Sequence, residues 1–253
     1  MKNALLQGRE LSKTFSQSGE NALILNKVNV DIYEGDFTVI MGKPNAGKST
    51  LLYSLSGMDS ITGGEIVYKG ETISGFSENR MARLRASEFG FVFQQTHLVS
   101  NLTLFENVAV AGYVGKVHSP DETAKTARTV LDQMHLNGAA DRLPSQVSGG
   151  EAQRAAIARA MINDPGLIFA DEPTGALNKF NSEEVLNLLT DLNWAGQSIL
   201  MVTHDVRAAI RGNRILYLED GKILDERTLP AYEADHARGR EAEVTEWLSS
   251  LQW

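Results

Sequence analysis

The sequence contains no cysteine among its 253 residues. Disulfide bonds, thiolate metal sites and cysteine nucleophiles are therefore excluded. Apolar runs are also short: residues 108–114 form the nearest candidate, well below the roughly 18 apolar residues that a membrane-spanning helix needs. Residues 1–8 likewise form too short an apolar run for a signal peptide. We expect a soluble protein whose role at any membrane requires a partner.

Basic residues are in the minority, since 24 Lys and Arg stand against 32 Asp and Glu for a formal net charge of -8. Nucleic-acid binding draws most of its affinity from clustered Lys and Arg, so we expect no nucleic-acid partner. Proline and glycine are too few for a disordered or fibrous chain, and 42% of the residues are hydrophobic. The length fits one large α/β domain with an inserted lobe.

Apolar patterns predict an α/β fold. Alternation over residues 28–32 predicts a half-buried N-terminal strand. Wholly apolar runs at residues 37–41, 167–170 and 199–202, with helical segments between them, predict buried strands of a parallel sheet covered on both faces.

Other segments predict a lobe, a hairpin and a tail. Between about residues 87 and 164 the Ala-, Leu- and Arg-containing stretches predict a mostly helical lobe inserted into the sheet domain. The turn Asp220-Gly221 between two apolar runs predicts a hairpin. Residues 1–225 then form the main domain and 226–253 an extension. From residue 241 the apolar spacing predicts an amphipathic helix, which either packs on its own domain or binds a partner.

A glycine-rich run follows the predicted strand 37–41 and precedes a helical run, as the motif G-x-x-x-x-G-K-[ST] requires. Such a loop turns backbone N–H groups and a helix N-terminus toward an anion. Lys48 is suited to contact the β and γ phosphates of a nucleotide, and Ser49 to bind Mg²⁺. The alternative is a chance glycine-rich turn. The run consists of Gly42, Lys43, Pro44, Asn45, Ala46, Gly47, Lys48, Ser49 and Thr50.

Two adjacent carboxylates, Asp171 and Glu172, follow the apolar run 167–170. Side chains alternate along a strand, so the two carboxylates point in different directions and have different roles. Asp171 is suited to hold Mg²⁺ through water, and Glu172 to orient and deprotonate an attacking water. A carboxylate pair that merely solvates a strand end is the alternative for this pair alone.

The run Val147-Ser148-Gly149-Gly150-Glu151-Ala152-Gln153-Arg154 lies between the glycine-rich loop and the carboxylates. Ser148 and Glu151 fit a capping box, in which Gly149, Gly150 and the helix start present free N–H groups. An ordinary capped helix explains the run locally. The run also resembles the LSGGQ signature that distinguishes ABC ATPases from other P-loop enzymes.

Further landmarks occur in the order of that family. Phe15 resembles the aromatic residue that stacks on adenine, and Gln94 resembles the Q-loop glutamine. Residues 176–178 resemble the D-loop, and His204 resembles the switch histidine. Alone, Phe15 is as consistent with a core position as with stacking, and a lone histidine after an apolar strand is more often structural. In order and together, these residues resemble an ABC ATPase over approximately residues 5–224.

The resemblance implies an α/β P-loop NTPase of the ABC type, with an N-terminal antiparallel β subdomain and an inserted helical subdomain. It implies an ATPase that uses ATP and Mg²⁺. Glu172, His204 and Lys48 would be catalytic, while Ser49, Gln94 and Asp171 would hold the metal. The glycine-rich loop, Phe15, Gln94 and residues 148–151 would bind the nucleotide.

Three segments resemble one branch of bacterial ABC ATPases, which serves lipoprotein release, macrolide export and bacitracin resistance. These segments are residues 89–95, 102–108 and 170–177. The resemblance implies an ATP-dependent homodimer, or a heterodimer with a related ATPase, bound to a membrane permease at the cytoplasmic face of the membrane. The substrate would be a peptide, lipoprotein, lipid or antibiotic-like compound.

Two other classes share these motifs. A regulatory ABC ATPase would signal through a membrane partner without transport, and only the partner or a transport assay separates it from a transporter. A DNA-repair ABC ATPase is disfavoured by the acidic composition and the uninterrupted spacing of the motifs. Two residues depart from the family pattern: Glu151 stands in place of the usual Gln, and Asn178 in place of the usual Asp.

Overall fold

Two long antiparallel strands open the fold in a computed structural model that describes residues 2–17 and 20–253. Strand β1 spans Ala4–Gln17 and pairs with β2, Glu20–Tyr33. Strand β1 also pairs with β4, Gly63–Tyr68, which pairs with β5, Glu71–Thr72. The result is an antiparallel sheet in the order β2-β1-β4-β5. The alternating apolar side chains at residues 28, 30 and 32 are buried, as the period of two predicts.

A second group of strands is largely parallel. Strand β3, Phe37–Met41, is paired in parallel with β8, Ser198–Val202, on one side and with β9, Arg214–Glu219, on the other. Every residue of β3 and β8 is buried, as expected for parallel strands covered on both faces. Strand β10, Lys222–Thr228, runs antiparallel to β9.

The turn between β9 and β10 is the hairpin that the sequence predicts. Asp220 and Gly221 have φ angles of 47° and 71°. A two-residue hairpin turn with positive φ at both positions matches the right-handed twist of its strands, and Asp-Gly is among the pairs that adopt it most readily.

The described residues of the same part of the chain also form three α-helices: α1, Lys48–Leu55; α7, Val206–Ala209; and α8, Ala237–Ser250. Helix α8 buries Val244 and Leu248 and contacts α7. The guanidinium of Arg240, also buried, donates hydrogen bonds to the main-chain carbonyls of Ile210 and Gly212 just beyond α7. The C-terminal helix therefore packs on the strand-rich part of the protein.

The remaining part of the chain combines two strands with five helices. Strand β6, Phe89–Phe93, pairs in parallel with β7, Leu167–Asp171, and the rings of Phe91 and Phe169 stack at 5.5 Å between centroids. The five helices are α2, Glu78–Glu88; α3, Leu104–Gly115; α4, Pro120–Gln133; α5, Gly149–Met161; and α6, Lys179–Trp194. Of these, α3, α4 and α5 contact one another.

The chain forms two compact units. The first runs to Ser77 and resumes over Gly196–Trp253, and the second is Glu78–Ala195. The second unit extends beyond the helical lobe of about residues 87–164 that the sequence predicts, since it also contains most of α2 before the lobe and β7 and α6 after it. Within the described residues, no helix has the length and apolar character needed to cross a membrane.

Candidate nucleotide site

The glycine-rich run, called the phosphate loop below, connects β3 to α1 in the first unit. Gly47 caps α1 with a φ of 98°, and Asn45 has a φ of 64°. The ammonium of Lys48 donates hydrogen bonds of 2.9 Å to the carbonyl oxygens of Gly42 and Lys43. These bonds fold the lysine side chain back over the loop that precedes it.

Two glycines of the phosphate loop are required by close packing. A Cβ atom at Gly42 would lie 2.0 Å from the carbonyl oxygen of Leu218 in β9. At Gly47 it would lie 3.0 Å from the carbonyl oxygen of Ile24 in β2, at a left-handed φ that glycine adopts most easily. The loop is therefore packed tightly between neighbouring strands at both positions.

Phe15 lies on β1 in the same unit. Its side chain is 45% exposed, so it is not a core residue. The ammonium of Lys13 lies 4.8 Å from the centroid of its ring and also forms an ion pair with Asp59. This cation–π contact, which sequence reasoning missed, supports the ring.

His204 follows β8 and is exposed. Because β3 and β8 are neighbouring parallel strands, their carboxyl ends lie at the same edge of the sheet, where open α/β sheets bind ligands. The N–H of Thr203 donates to the carbonyl of Ile40 at 3.3 Å, which extends the pairing to the residue before His204. The structure thus brings His204 and the phosphate loop to one edge of the first unit.

Gln94, Asp171 and Glu172 come together in the second unit. Phe93 pairs with Asp171 in the register of β6 and β7, so the three side chains leave the same edge of this strand pair. The side chain of Gln94 lies against Gly175, where a Cβ atom would be 2.8 Å from Nε2. Glu172 has a φ of 47°, an uncommon conformation for a residue with a side chain and one that often marks functional positions.

The predicted capping box forms at the start of α5. The N–H of Ser148 donates to the carboxylate of Glu151 at 2.8 Å, and the N–H of Glu151 donates to the Ser148 hydroxyl at 3.2 Å. The hydrogen bond from the Ser148 main chain is the largest of the effects that lower the pKa of Glu151. The carboxylate is therefore ionised at neutral pH and is turned toward its own helix.

Residues 147–154, called the signature segment below, are connected to their neighbours in the second unit by close packing at glycines and by polar contacts. A Cβ atom at Gly150 would lie 2.6 Å from the side chain of Asn181 in α6, whereas at Gly149 it would meet only Leu177 at 3.6 Å. The side-chain amide of Gln153 donates to the carbonyl of Phe93 at 2.9 Å, directly before Gln94. Sequence reasoning missed this link because no local pattern connects two residues 60 positions apart.

The sequence profile of the ABC transporter family matches residues 25–175. The chain belongs to this family. It is 38% identical over 224 residues to the lipoprotein-releasing system ATP-binding protein LolD of Buchnera aphidicola, covering 88% of this chain and 97% of that protein. The macrolide export ATP-binding/permease protein MacB of Mannheimia succiniciproducens is 39% identical over 223 residues, which cover 88% of this chain and 34% of that longer protein.

Solved structures show the same fold. The ATP-binding cassette MJ0796, described as dimeric and bound to ADP and Pi, matches with a TM-score of 0.82 and 36% identity over 90% of this chain and all of that one. CbiO1 from Clostridium perfringens matches with a TM-score of 0.81 at 24% identity over 98% of this chain and 95% of that one, which supports the fold alone.

The predicted family and fold are confirmed. The N-terminal antiparallel sheet and the parallel strands that lead into the phosphate loop are those of an ABC nucleotide-binding domain. The protein is an ATPase of the ABC family and binds ATP. Its similarity to LolD and MacB matches the branch that the sequence segments indicate.

The structure shows what Asn178 does at the position where the D-loop of the family usually has Asp. Asn178 is the N-cap of α6, where its side-chain oxygen accepts a hydrogen bond of 2.9 Å from the N–H of Asn181. Aspartate caps helices in the same way. The substitution therefore keeps the cap and removes one negative charge.

Proposed function

We propose that this ABC ATPase hydrolyses ATP in order to move a peptide, lipoprotein, lipid or antibiotic-like substrate through a separate membrane permease. The observation that carries this proposal is the phosphate loop itself, in which Lys48 bonds to the carbonyls of Gly42 and Lys43 within tightly packed surroundings. The names of the two relatives, one a lipoprotein-releasing system and the other a macrolide exporter, support transport over signalling without transport.

Each predicted residue has a role in this proposal. The N–H groups of the phosphate loop and the ammonium of Lys48 bind the phosphates, and Phe15 stacks on the adenine. Glu172 accepts a proton from the attacking water, whose oxygen bonds to the γ-phosphorus as the bond to the ADP oxygen breaks. His204 contacts the γ-phosphate. In the segment Ser148, Gly149, Gly150 and Glu151, the Ser148 hydroxyl and the N–H groups of the two glycines bind the γ-phosphate of the nucleotide held by the other subunit. The carboxylate of Glu151 stays in its capping box.

The donor set fits magnesium. Ser49, Gln94 and Asp171 offer a hydroxyl, an amide oxygen and a carboxylate, and Mg²⁺ prefers few protein oxygens together with water and phosphate oxygens. When bound, the ion neutralises the charge that develops on the phosphates. Asp171 would orient a water ligand, and Gln94 would connect this region to the permease.

Two subunits would hold ATP between the phosphate loop of one and the signature segment of the other. The dimeric form of MJ0796 supports this arrangement. The pair would be a homodimer or a heterodimer with a related ATPase. Because each γ-phosphate contacts both subunits, ATP favours association and hydrolysis favours release. The dimer would sit at the cytoplasmic face of the membrane, held there by the permease.

The test is the variant Glu172→Gln, with Glu246→Gln, an exposed carboxylate of α8, as the matched control. The first should lose turnover by about 10²–10⁴, the usual contribution of a general base, while it keeps ATP affinity. It should also shift from monomer to dimer in saturating Mg-ATP, measured by light scattering after gel filtration. The control should hydrolyse ATP at the parent rate.

Two results would count against the proposal. Normal turnover in Glu172→Gln would remove Glu172 from the role of base. A variant that lacks hydrolysis yet stays monomeric in saturating Mg-ATP, with and without its permease, would exclude the ATP-bound dimer. Identification of the membrane protein that co-purifies with this chain would decide between transport and signalling.

A further inference from the structure

The hairpin of β9 and β10 contacts the phosphate loop at three points in the first unit. Its strand β9 leaves no room for a side chain at Gly42, since the carbonyl of Leu218 closes that space. Its turn residue Gly221 donates a hydrogen bond of 3.2 Å to the carbonyl of Ala46. At its third contact, Glu219 forms an ion pair with Lys43, the second residue of the loop.

Lys43 is held by two partners, Glu219 and Lys48. The main-chain carbonyl of Lys43 accepts a hydrogen bond of 2.9 Å from the Lys48 ammonium. The side-chain ammonium of Lys43 binds the carboxylate of Glu219. The hydrogen bond with Glu219 is also the main cause of the raised pKa of Lys43, so the Lys43 ammonium is charged at neutral pH. The loop residue is therefore fixed at both its main chain and its side chain.

The hairpin that carries Glu219 is itself braced by the C-terminal helix. The ring of Trp247 in α8 meets the buried ring of Tyr217 in β9 edge-on, at 6.5 Å between centroids. The indole N–H of Trp247 donates to the carboxylate of Asp225 in β10 at 2.9 Å. A side chain on a supported element holds its partner more accurately than one on a free loop.

We infer that Glu219 is a positioning residue for ATP: through its ion pair with Lys43 it keeps the phosphate loop in the conformation that binds the nucleotide. An anion site of this type depends on loop N–H groups that already point toward the phosphate. With the Lys43 side chain held, its main-chain carbonyl keeps the hydrogen bond from Lys48. ATP binding then does not have to bear the entropic cost of ordering the loop. This inference rests on ATP binding by the phosphate loop.

The solvent exposure of the Lys43–Glu219 ion pair determines how much its loss should weaken ATP binding. The side chains of Lys43 and Glu219 are 42% and 21% exposed, so the pair is partly solvated and its contribution is modest. Glu219→Gln should weaken ATP binding roughly two- to fivefold. Lys43→Met removes the same pair through an exposed side chain and should also weaken binding. In the Lys43→Met background, Glu219→Gln should have no further effect.

The experiment measures the dissociation constant of radiolabelled ATP with Mg²⁺ on the full chain, together with the melting temperature. Glu226→Gln is the control, because Glu226 lies on the same hairpin and pairs with Arg214 instead of the loop. This control should bind ATP as the parent does. A comparison of kcat with KM should show the effect of Glu219→Gln in KM.

Two results would overturn the inference while the parent still binds ATP. Tighter binding by Glu219→Gln would mean that Glu219 competes with phosphate for Lys43. An unchanged dissociation constant with a lower melting temperature would mean that the pair serves stability alone. A parent chain that does not bind ATP would instead overturn the proposed function, and this inference with it.

Discussion

Replacement of Glu151 tests whether its carboxylate serves its own helix. Glutamine at this position restores the residue that the signature usually has, and its side-chain oxygen can still accept the hydrogen bond from the Ser148 N–H. Only the charge is lost. A negative charge in the first turn of a helix stabilises it by about 0.3–1 kcal/mol. For a domain of this size that difference corresponds to a decrease in melting temperature of about 1–4 °C.

Alanine at the same position removes the charge and the hydrogen bond together. The lost bond adds about 0.5–1.5 kcal/mol, so Glu151→Ala should melt clearly below Glu151→Gln. The melting temperatures of parent, Glu151→Gln and Glu151→Ala should therefore decrease in that order at pH 7, as followed by circular dichroism at 222 nm in the absence of nucleotide.

The pH dependence of the stability difference between the parent and Glu151→Gln provides a second test. The folded pKa of Glu151 is lower than its usual value, so its charge stabilises the fold above the unfolded pKa of about 4.3, and this contribution is lost as the pH falls through the folded value. The difference between parent and Glu151→Gln should accordingly shrink as the pH falls below the unfolded pKa and disappear once the pH is below the lowered folded pKa. A glutamine variant more stable than the parent at pH 7, or a difference independent of pH, would refute the stabilising role of the Glu151 charge.

Two further substitutions have simple expected outcomes. Lys48→Ala removes a charge-assisted contact worth about 1.5–3 kcal/mol and should weaken ATP binding by about 10- to 150-fold in equilibrium titrations; unchanged affinity would count against the phosphate loop. Asn178→Asp keeps the cap of α6 and adds a favourable charge at a helix N-terminus, so the melting temperature should rise by about 1–4 °C, whereas a decrease would exclude the capping role.

Local patterns predicted the elements that lead into the site. The apolar runs at residues 37–41 and 199–202 are the buried strands β3 and β8, because strands covered on both faces need no polar alternation. The capping box at Ser148 and Glu151 also forms as its spacing predicts. In each case one short segment contains the complete physical signal.

Contacts between distant segments could not be predicted in this way. Glu219 is 176 residues from Lys43, and the turn that carries it indicates a hairpin without indicating what the hairpin touches. The ion pair of Lys13 with Asp59 likewise joins two residues that are 46 positions apart. Such contacts are determined by tertiary packing, which has no short-range periodicity.

The main-chain conformation of Glu172 carries an evolutionary consequence. A residue with a Cβ atom loses about 1–2 kcal/mol in the left-handed region that a φ of 47° indicates, whereas glycine enters that region freely. Glycine offers no group that can take up a proton. Stability alone would therefore favour glycine at this position. Under the proposed role of Glu172 as the base, the enzyme gives up some stability here in exchange for turnover.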